Sequence, residues 1–251
     1  MDRQQCELAQ VPTAAETPAG QAGVGDVVPL IVIPARNEAG VIEDVIAEIK
    51  REMSVDVLVV DDASTDGTAR RAASAGAQVV KLSMPLGAWG ATQTGIRYAL
   101  GKGYRAVVTM DADGQHESAY LRALLEPLST GQTEVVIGAY PERGSPARRF
   151  AWALFRNLAG FELLDLTSGF RAYSLPAMKV LASTEAILLD YQDLGVLILA
   201  RRAGLRIVEI PVAMRARREG GSRVFSSWWK VTAYMLHTLM LCLTRWKVSK
   251  G

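Results

Sequence analysis

Val107 to His116 reads VVTMDADGQH. Four apolar-leaning residues, Val107 to Met110, have the length and β-branched character of a short buried strand. Two carboxylates, Asp111 and Asp113, follow at once, separated only by Ala112. A chain that leaves a buried strand and immediately sets two acids side by side is placing them at a strand's carboxyl end. In parallel sheets that rim is where ligands bind.

The same pattern recurs upstream. Val27–Pro34 (VVPLIVIP) is an apolar run that leads into Arg36-Asn37-Glu38. Val55–Val60 (VDVLVV) ends at Asp61-Asp62. Helical spacing separates these runs. Over Ala39–Met53 the apolar residues Val41, Ile42, Val45, Ile46 and Ile49 recur every three or four positions, which predicts an amphipathic helix. Ser64 or Asp66 can cap a helix over Thr68–Ala75. A strand over Gln78–Leu82, a helix over Gly90–Leu100, the strand Ala106–Met110, a helix over Tyr120–Leu128 and a strand over Glu134–Ile137 continue the alternation. Strands alternating with helices predict an α/β fold, a mostly parallel sheet covered on both faces.

If the three polar strand ends are neighbours, one rim gathers Glu38, Asp61, Asp62, Asp111 and Asp113. Like charges so close disfavour one another's ionised forms, and a divalent cation relieves that. The candidate ligands are oxygen donors, with no His or Cys pair among them, which points to Mg²⁺ or Mn²⁺ rather than Zn²⁺. Mg²⁺ takes one or two carboxylates and completes its shell with substrate phosphates. The bland alternative is a pair of loop acids capping the helix after Gly114. Asp-x-Asp alone does not decide between them.

Composition bounds the rest. The 251 residues, nearly half of them apolar, suffice for one large α/β domain. Cys6 and Cys242 sit at opposite ends of the chain, which is no disulfide framework and suits a reducing, cytoplasmic setting. Residues 1–26, rich in Ala, Gly, Gln, Pro and Thr, predict a disordered leader without the marks of a signal peptide. The net charge of +2 is uneven: residues 201–251 hold eleven Lys or Arg against two acids. Such a basic end suits phosphates, anionic lipid or nucleic acid, or is a solvated helical face. No nucleic-acid recognition module accompanies it, so no nucleic acid is expected.

Six motifs stand in one order: IPARNE (Ile33–Glu38), VVDDASTDGT (Val59–Thr68), LGAWGATQTGI (Leu86–Ile96), MDADGQH (Met110–His116), TSGFRAY (Thr167–Tyr173) and RREGGSR (Arg217–Arg223). Together they resemble the family 2 inverting glycosyltransferases of the GT-A (Rossmann-like) fold. The closest likeness is to the dolichyl- or polyprenyl-phosphate mannosyl- and glucosyltransferase branch. The resemblance covers about Val28 to Phe225, and implies a catalytic domain over residues 27–225.

The resemblance implies roles. Pro34 and Glu38 border the base and ribose pocket, with Arg36 where many relatives have tyrosine. Asp61 or Asp62 accepts a hydrogen bond from the base. Asp111 and Asp113 form the metal site, Asp113 as direct ligand with Gln115 as companion. Gly87, Gly90 and Gly95 serve turns and close packing, and Trp89 either packs or edges the sugar pocket. On the acceptor side, relatives bind a lipid phosphate through arginines after the fifth strand, and Arg143, Arg148 and Arg149 are available here. Asp165 and Ser168 belong to the segment lining that side. Asp193 stands near the base of hydroxyl-transferring relatives. Arg215–Arg223 (RARREGGSR) reads as a mobile loop, hinged at Gly220-Gly221, whose Arg223 closes over the diphosphate.

The end of the chain, residues 226–251, predicts an amphipathic helix. Its uncharged run Val231–Thr244 is fourteen residues, short of the roughly twenty that span a bilayer. Trp at both ends and Arg245, Lys247 and Lys250 suit a helix lying on an anionic membrane surface. The alternative is packing on the domain or on a second copy in a homo-oligomer.

The expectation is therefore inverting transfer of a sugar from a nucleotide-sugar donor, of GDP-mannose or UDP-glucose type, to a polyprenyl phosphate at the cytoplasmic membrane face. Transfer to a hydroxyl of a soluble glycan or small molecule is the second reading. A catalytically silent nucleotide-sugar-binding or scaffold protein is the third, and its signature would be loss of the metal acids.

Overall fold

A computed structural model describes residues 29–143, 163–187, 189 and 194–215. The predicted leader and C-terminal helix lie outside them, as do Arg148, Arg149, Asp193 and Arg223. Five strands alternate with four helices in the first part of the chain: β1 (Pro29–Ala35), α1 (Ile42–Glu52), β2 (Asp56–Asp61), α2 (Thr68–Ser74), β3 (Gln78–Lys81), α3 (Gly87–Gly101), β4 (Ala106–Thr109), α4 (Leu121–Ser129) and β5 (Val135–Ala139). Then come β6 (Arg171–Ser174), α5 (Leu175–Leu181), α6 (Thr184–Ile187), α7 (Leu194–Arg202) and β7 (Ile207–Pro211).

The strands form one mixed sheet in the order β3-β2-β1-β4-β6-β5-β7. β6 runs antiparallel to both β4 and β5, and the other pairings are parallel. Alternate side chains on each strand feed two cores. Leu30, Val32, Leu58, Val60, Val107 and Ile137 meet α3, α5 and α7 on one face. Ile31, Ile33, Val57, Val59, Val108 and Val136 meet α1, α2 and α4 on the other. This is why the strands read as unbroken apolar runs: both faces are buried.

α1 shows what holds a helix onto the sheet. Its N-cap, Val41, makes no side-chain capping bond, a loss of about 1 kcal/mol against a good cap. Ile42, Val45, Ile46 and Ile49 are all buried, and burying each such side chain contributes about 1.5–3 kcal/mol. Packing outweighs the missing cap. α3 lies close against the sheet: a Cβ added at Gly95 would sit 2.2 Å from Val32 Cγ1 on β1. Gly87, at φ +78°, starts that helix from a turn.

Pro34 sits inside β1, a central strand, where a missing N–H ordinarily breaks the ladder. Here it breaks nothing. Val32 turns its backbone towards β4, since its carbonyl accepts the Met110 N–H at 3.1 Å. Pro34 has the same parity and faces the same side, but pairing with β4 stops at Val32–Thr109. The next residue, Ala35, faces β2 and accepts the Asp62 N–H at 2.8 Å. The proline thus falls where β1 has already outrun its neighbour.

Candidate active site

The strand order β2-β1-β4 makes the three polar ends neighbours at one rim. Beside them, a cleft of about 360 Å³ lined by Ala63, Ser64, Lys81, Leu82 and Ser83 opens at the ends of β2 and β3.

Side-chain hydrogen bonds sew the loops of this rim together. The Ser64 hydroxyl accepts the Asn37 N–H at 2.9 Å, and the Thr68 hydroxyl oxygen accepts the Glu38 N–H at 2.9 Å. Asp66 takes the Ala39 N–H at 3.1 Å and the Thr68 N–H at 3.0 Å. Burial works to raise the Asp66 carboxyl, but the Thr68 hydroxyl and these N–H donors hold it below its ordinary value. The N-cap of α2 is Gly67, at φ +91° and without a side-chain capping bond, so neither Asp66 nor Ser64 is the cap residue: Asp66, one position earlier, takes the first N–H of the helix, and Ser64 serves the loop after β1. Asn37 and Ala63 both adopt positive φ, 53° and 55°, a conformation that L-residues enter at a cost.

The five acids of the rim are not alike. Asp62 is buried and accepts the Leu86 N–H at 2.6 Å and the Gly87 N–H at 3.0 Å, which holds the entry to α3. Asp61 is buried too. Its Oδ1 accepts the Ser64 N–H at 3.2 Å, while its buried Oδ2 has no hydrogen-bond partner among the described residues. Glu38 shapes the start of α1 through its carbonyl, which accepts the Val41 and Ile42 N–H groups. Backbone donors thus offset part of the like-charge strain that the sequence raised. Arg36 is exposed at the same rim.

Asp111 and Asp113 stand apart from that arrangement. The Asp111 side chain is 47% exposed. Asp113 Oδ1 accepts the Gln115 N–H at 3.1 Å, which closes a tight turn through Gly114 at φ +74°. The Gln115 side-chain amide donates to the Arg215 carbonyl at 3.3 Å, and the Arg215 N–H returns to the Gln115 carbonyl at 2.8 Å. His116 makes an isolated bridge with Met214. The root of the basic segment is therefore stitched to the Asp-x-Asp turn. The Arg215 guanidinium reaches Glu48 on α1 at 2.6 Å and comes within 3.9 Å of Glu117. Burial would raise the Glu48 carboxyl, but Arg215 and the Ser118 N–H outweigh it and hold the group below its ordinary value.

The segment Leu163–Phe170 closes the other side. The Thr109 hydroxyl donates to the Gly169 carbonyl at 2.7 Å, and the Gly138 N–H to the Phe170 carbonyl at 2.8 Å. Gly169 is pressed so near the site that a Cβ there would lie 2.6 Å from Asp111 Oδ1. Asp165 and Ser168 are both buried and bonded within the protein. Asp165 accepts the Tyr140 N–H at 3.2 Å and the Thr167 N–H at 3.1 Å, and the Ser168 hydroxyl accepts the Phe170 N–H at 3.3 Å. Both side chains shape this wall. Beneath it the buried Arg171 donates to the Leu166 carbonyl at 2.8 Å. Burial pushes the Glu209 carboxyl up, against the Asp165 and Leu164 N–H groups and the Arg171 charge.

Trp89 is 2% exposed and its indole N–H donates to the Ala186 carbonyl at 2.8 Å, so it packs. Arg143 ends a short 3₁₀ turn, Pro141–Arg143, after β5.

With this geometry in place, comparison with known proteins is decisive. The model of glycosyl transferase family 2 matches residues 30–181. The chain belongs to glycosyl transferase family 2. Family 2 relatives include the undecaprenyl-phosphate mannosyltransferase of Micrococcus luteus, 32% identical over 238 residues, spanning 88% of this chain and 94% of the relative. The polyprenol monophosphomannose synthase of Mycolicibacterium smegmatis is 29% identical over 219 residues, 79% of this chain and 81% of the relative. The GT-A-like fold also recurs in glucosyl-3-phosphoglycerate synthase of Mycobacterium tuberculosis, solved with Mn²⁺, UDP and phosphoglyceric acid. That structure has a TM-score of 0.66 at 25% identity, covering 87% of this chain and 78% of that one. A second structure of the same enzyme holds Mg²⁺ and UDP, with a TM-score of 0.65 at 26% identity, covering 87% of this chain and 79% of that one.

Three contacts at this rim escape a reading of the sequence. His116 is part of the MDADGQH motif, yet only the fold reveals its ring against Asp111. Gly169 signals itself as a glycine between Ser168 and Phe170, but not what it approaches. The Glu48–Arg215 pair joins positions 167 apart in sequence, and no local pattern announces it.

Proposed function

We propose that this chain transfers a sugar, with inversion, from a nucleotide sugar of GDP-mannose or UDP-glucose type to a polyprenyl phosphate. The observation that carries the reading is the Asp111–Asp113 turn at the end of β4, on the same sheet rim as a cleft at the ends of β2 and β3, with β1 between them. The M. luteus and M. smegmatis relatives, an undecaprenyl-phosphate mannosyltransferase and a polyprenol monophosphomannose synthase, support the acceptor class.

The cleft beside Asp61 and Asp62 takes the base, one of these acids accepting its N–H, with Pro34, Arg36 and Glu38 bordering base and ribose. The donor set at the neighbouring turn suits Mg²⁺ or Mn²⁺: carboxylate and amide oxygens only, one carboxylate half-exposed. Among the described residues no three His, Cys, Asp or Glu side chains form a metal cluster. That fits an ion that Asp113 and Gln115 hold and that the donor's phosphates complete, with Asp111 alongside. Such an ion would neutralise charge on the departing diphosphate. Arg223, on the segment rooted at the turn, adds to that neutralisation from outside.

A phosphate oxygen of the acceptor attacks the anomeric carbon from the face opposite the diphosphate. The new C–O bond forms as the bond to the diphosphate breaks, and its electron pair leaves with the nucleotide. Arg143, Arg148 and Arg149 bind the acceptor phosphate, since a guanidinium fork donates two parallel hydrogen bonds. Asp165 and Ser168 hold the wall against which it lies. An acceptor already anionic needs no base, so Asp193 orients. A lipid acceptor brings the protein to a membrane surface on the cytoplasmic side, where residues 226–251 lie flat. No helix among the described residues is long and apolar enough to cross a membrane.

A hydroxyl acceptor is the second reading. It is favoured by the likeness to an enzyme solved with phosphoglyceric acid. Asp193 would then remove the hydroxyl proton, a contribution of roughly 10²–10⁴-fold.

A panel of nucleotide sugars offered with and without polyprenyl phosphate, read by product mass, tests the proposal. The expected product is a polyprenyl phosphate one hexose heavier. Transfer only to soluble hydroxyl acceptors, lost in Asp193→Asn, moves the assignment to the second reading.

A further inference from the structure

We propose that His116 is a positioning residue that holds the Asp111 carboxylate in the orientation the metal–diphosphate site needs. This rests on the metal-site reading given above and names a residue that reading does not use.

Three observations define the ring. The Asp111 N–H donates into His116 Nδ1 at 3.2 Å. An imidazole nitrogen that accepts a hydrogen bond carries no proton, so the neutral ring keeps its proton on Nε2. Nε2 faces the side chain of the same aspartate, 3.6 Å from Asp111 Oδ2. The ring plane is fixed from the side by Phe170, whose ring stacks on it at 5.0 Å between centroids and 13° between planes. His116 is 1% exposed, so ring rotation would tear a packed contact.

One imidazole thus addresses one aspartate at two points, its backbone N–H and its carboxylate. At 3.6 Å the second contact is longer than a hydrogen bond. A shift of about 0.7 Å by the half-exposed carboxylate would bring it to the usual N–H···O distance. Polar contacts in unliganded sites commonly tighten in this way when the ligand arrives. On the opposite side Gly169, with no side chain, leaves the space the carboxylate occupies, since a Cβ there would come within 2.6 Å of Oδ1. Oδ1 thus faces Gly169 and Oδ2 the imidazole Nε2. Outer groups that orient a metal-site carboxylate in this manner are worth roughly 10–100-fold in metal affinity.

Two substitutions separate the ring's two duties. His116→Asn retains an acceptor near Nδ1 for the Asp111 N–H and removes the donor at Nε2. His116→Gln places its amide N–H near Nε2 and gives up the acceptor. Mn²⁺ binding, followed by EPR titration of the free ion with UDP or GDP present, reads the site without turnover. His116→Asn is expected to bind Mn²⁺ about tenfold more weakly than wild type, at a melting temperature close to wild type. His116→Gln is expected to stay within about threefold, although its melting temperature falls. Phe170→Leu keeps both nitrogens and removes the stacking partner; an intermediate loss of Mn²⁺ affinity supports the role, and wild-type affinity counts against it. Long-range ¹H–¹⁵N spectra of the imidazoles add a direct reading. The chain has two histidines, so His237→Asn assigns the signals, and the His116 pattern must be the Nε2–H tautomer. Wild-type Mn²⁺ affinity in His116→Asn, or an Nδ1–H pattern, overturns this inference and leaves the metal site standing. Absence of Mn²⁺ binding by the wild-type protein with either nucleotide overturns both.

Discussion

Gly169 is where the acceptor-side wall and the Asp-x-Asp turn touch. A methyl group there would stand 2.6 Å from Asp111 Oδ1, well inside ordinary contact. The Asp111 side chain is half-exposed and can swing aside. The strain of Gly169→Ala is therefore relieved by moving Asp111, not by unfolding. The expected outcome is a fall in stability of no more than about 1.5 kcal/mol with a loss of turnover near 10²-fold, the usual consequence of misplacing a site group by about 1 Å. Denaturant unfolding and single-turnover transfer measure the two separately. At this scale the sequence was informative about kind and less so about contact. Asp111 and Asp113 are legible as a strand-end pair because their spacing sits directly behind an apolar run. Asp61 and Asp62 are equally visible as letters, but only the fold reveals that Asp62 spends its oxygens on Leu86 and Gly87. Asp165 and Ser168 lie in the segment that packs beside Asp111, and their side chains are buried and bonded within the protein. A carboxylate and a hydroxyl can serve a ligand or the backbone equally well, and spacing does not distinguish the two.

Helices and strands reproduce the alternation because both faces of the sheet are buried and the apolar runs are long. The exceptions have physical reasons. β6 is four residues, RAYS, with an arginine and a serine at its ends, and it borrows its stability from two neighbours. β7 is an edge strand, IVEIP, mostly half-exposed and interrupted by Glu209, so no buried-strand pattern marks it. α3 begins at Gly87, three residues before the periodicity predicts, because Asp62 accepts the N–H groups at its entry. Its seat on β1 depends on Gly95, where a Cβ would lie 2.2 Å from Val32 Cγ1. Val32 is fully buried in a central strand and cannot retreat. Gly95→Ala is expected to cost about 1–3 kcal/mol despite alanine's better helix propensity. An unchanged urea midpoint contradicts that packing. The Glu48–Arg215 pair ties α1 to the segment after β7, and it carries a pH signature. The Glu48 carboxyl is held below its ordinary value in the folded protein. Its contribution is therefore present above the unfolded glutamate range and is lost as pH falls through the depressed folded value. With the Arg215 side chain 38% exposed, screening limits the pair to about 0.5–1 kcal/mol. Arg215→Ala is expected to lower stability by that amount at pH 7 and to converge with wild type once pH has fallen below the depressed Glu48 value. A gap that stays constant with pH assigns Arg215 a packing role instead.

Across the whole molecule, charge and chemistry are segregated. Five acids lie at or just after the ends of β1, β2 and β4, while residues 201–251 carry eleven Lys or Arg and two acids. Each Lys or Arg near an anionic membrane surface contributes about 1 kcal/mol. Removing residues 227–251 is therefore expected to weaken sedimentation with anionic vesicles at low salt more than hydrolysis of the free donor. Indifference of the intact protein to such vesicles assigns the tail to protein packing. The account stands or falls at the Asp-x-Asp turn. The most direct test is transfer of sugar to polyprenyl phosphate by Asp113→Ala, beside wild type in Mg²⁺ or Mn²⁺ and in excess chelator. The account predicts a folded variant with its melting temperature near wild type and no transfer, and a wild-type enzyme that chelator silences and Mn²⁺ restores. Full transfer by Asp113→Ala, or by wild type in excess chelator, contradicts it.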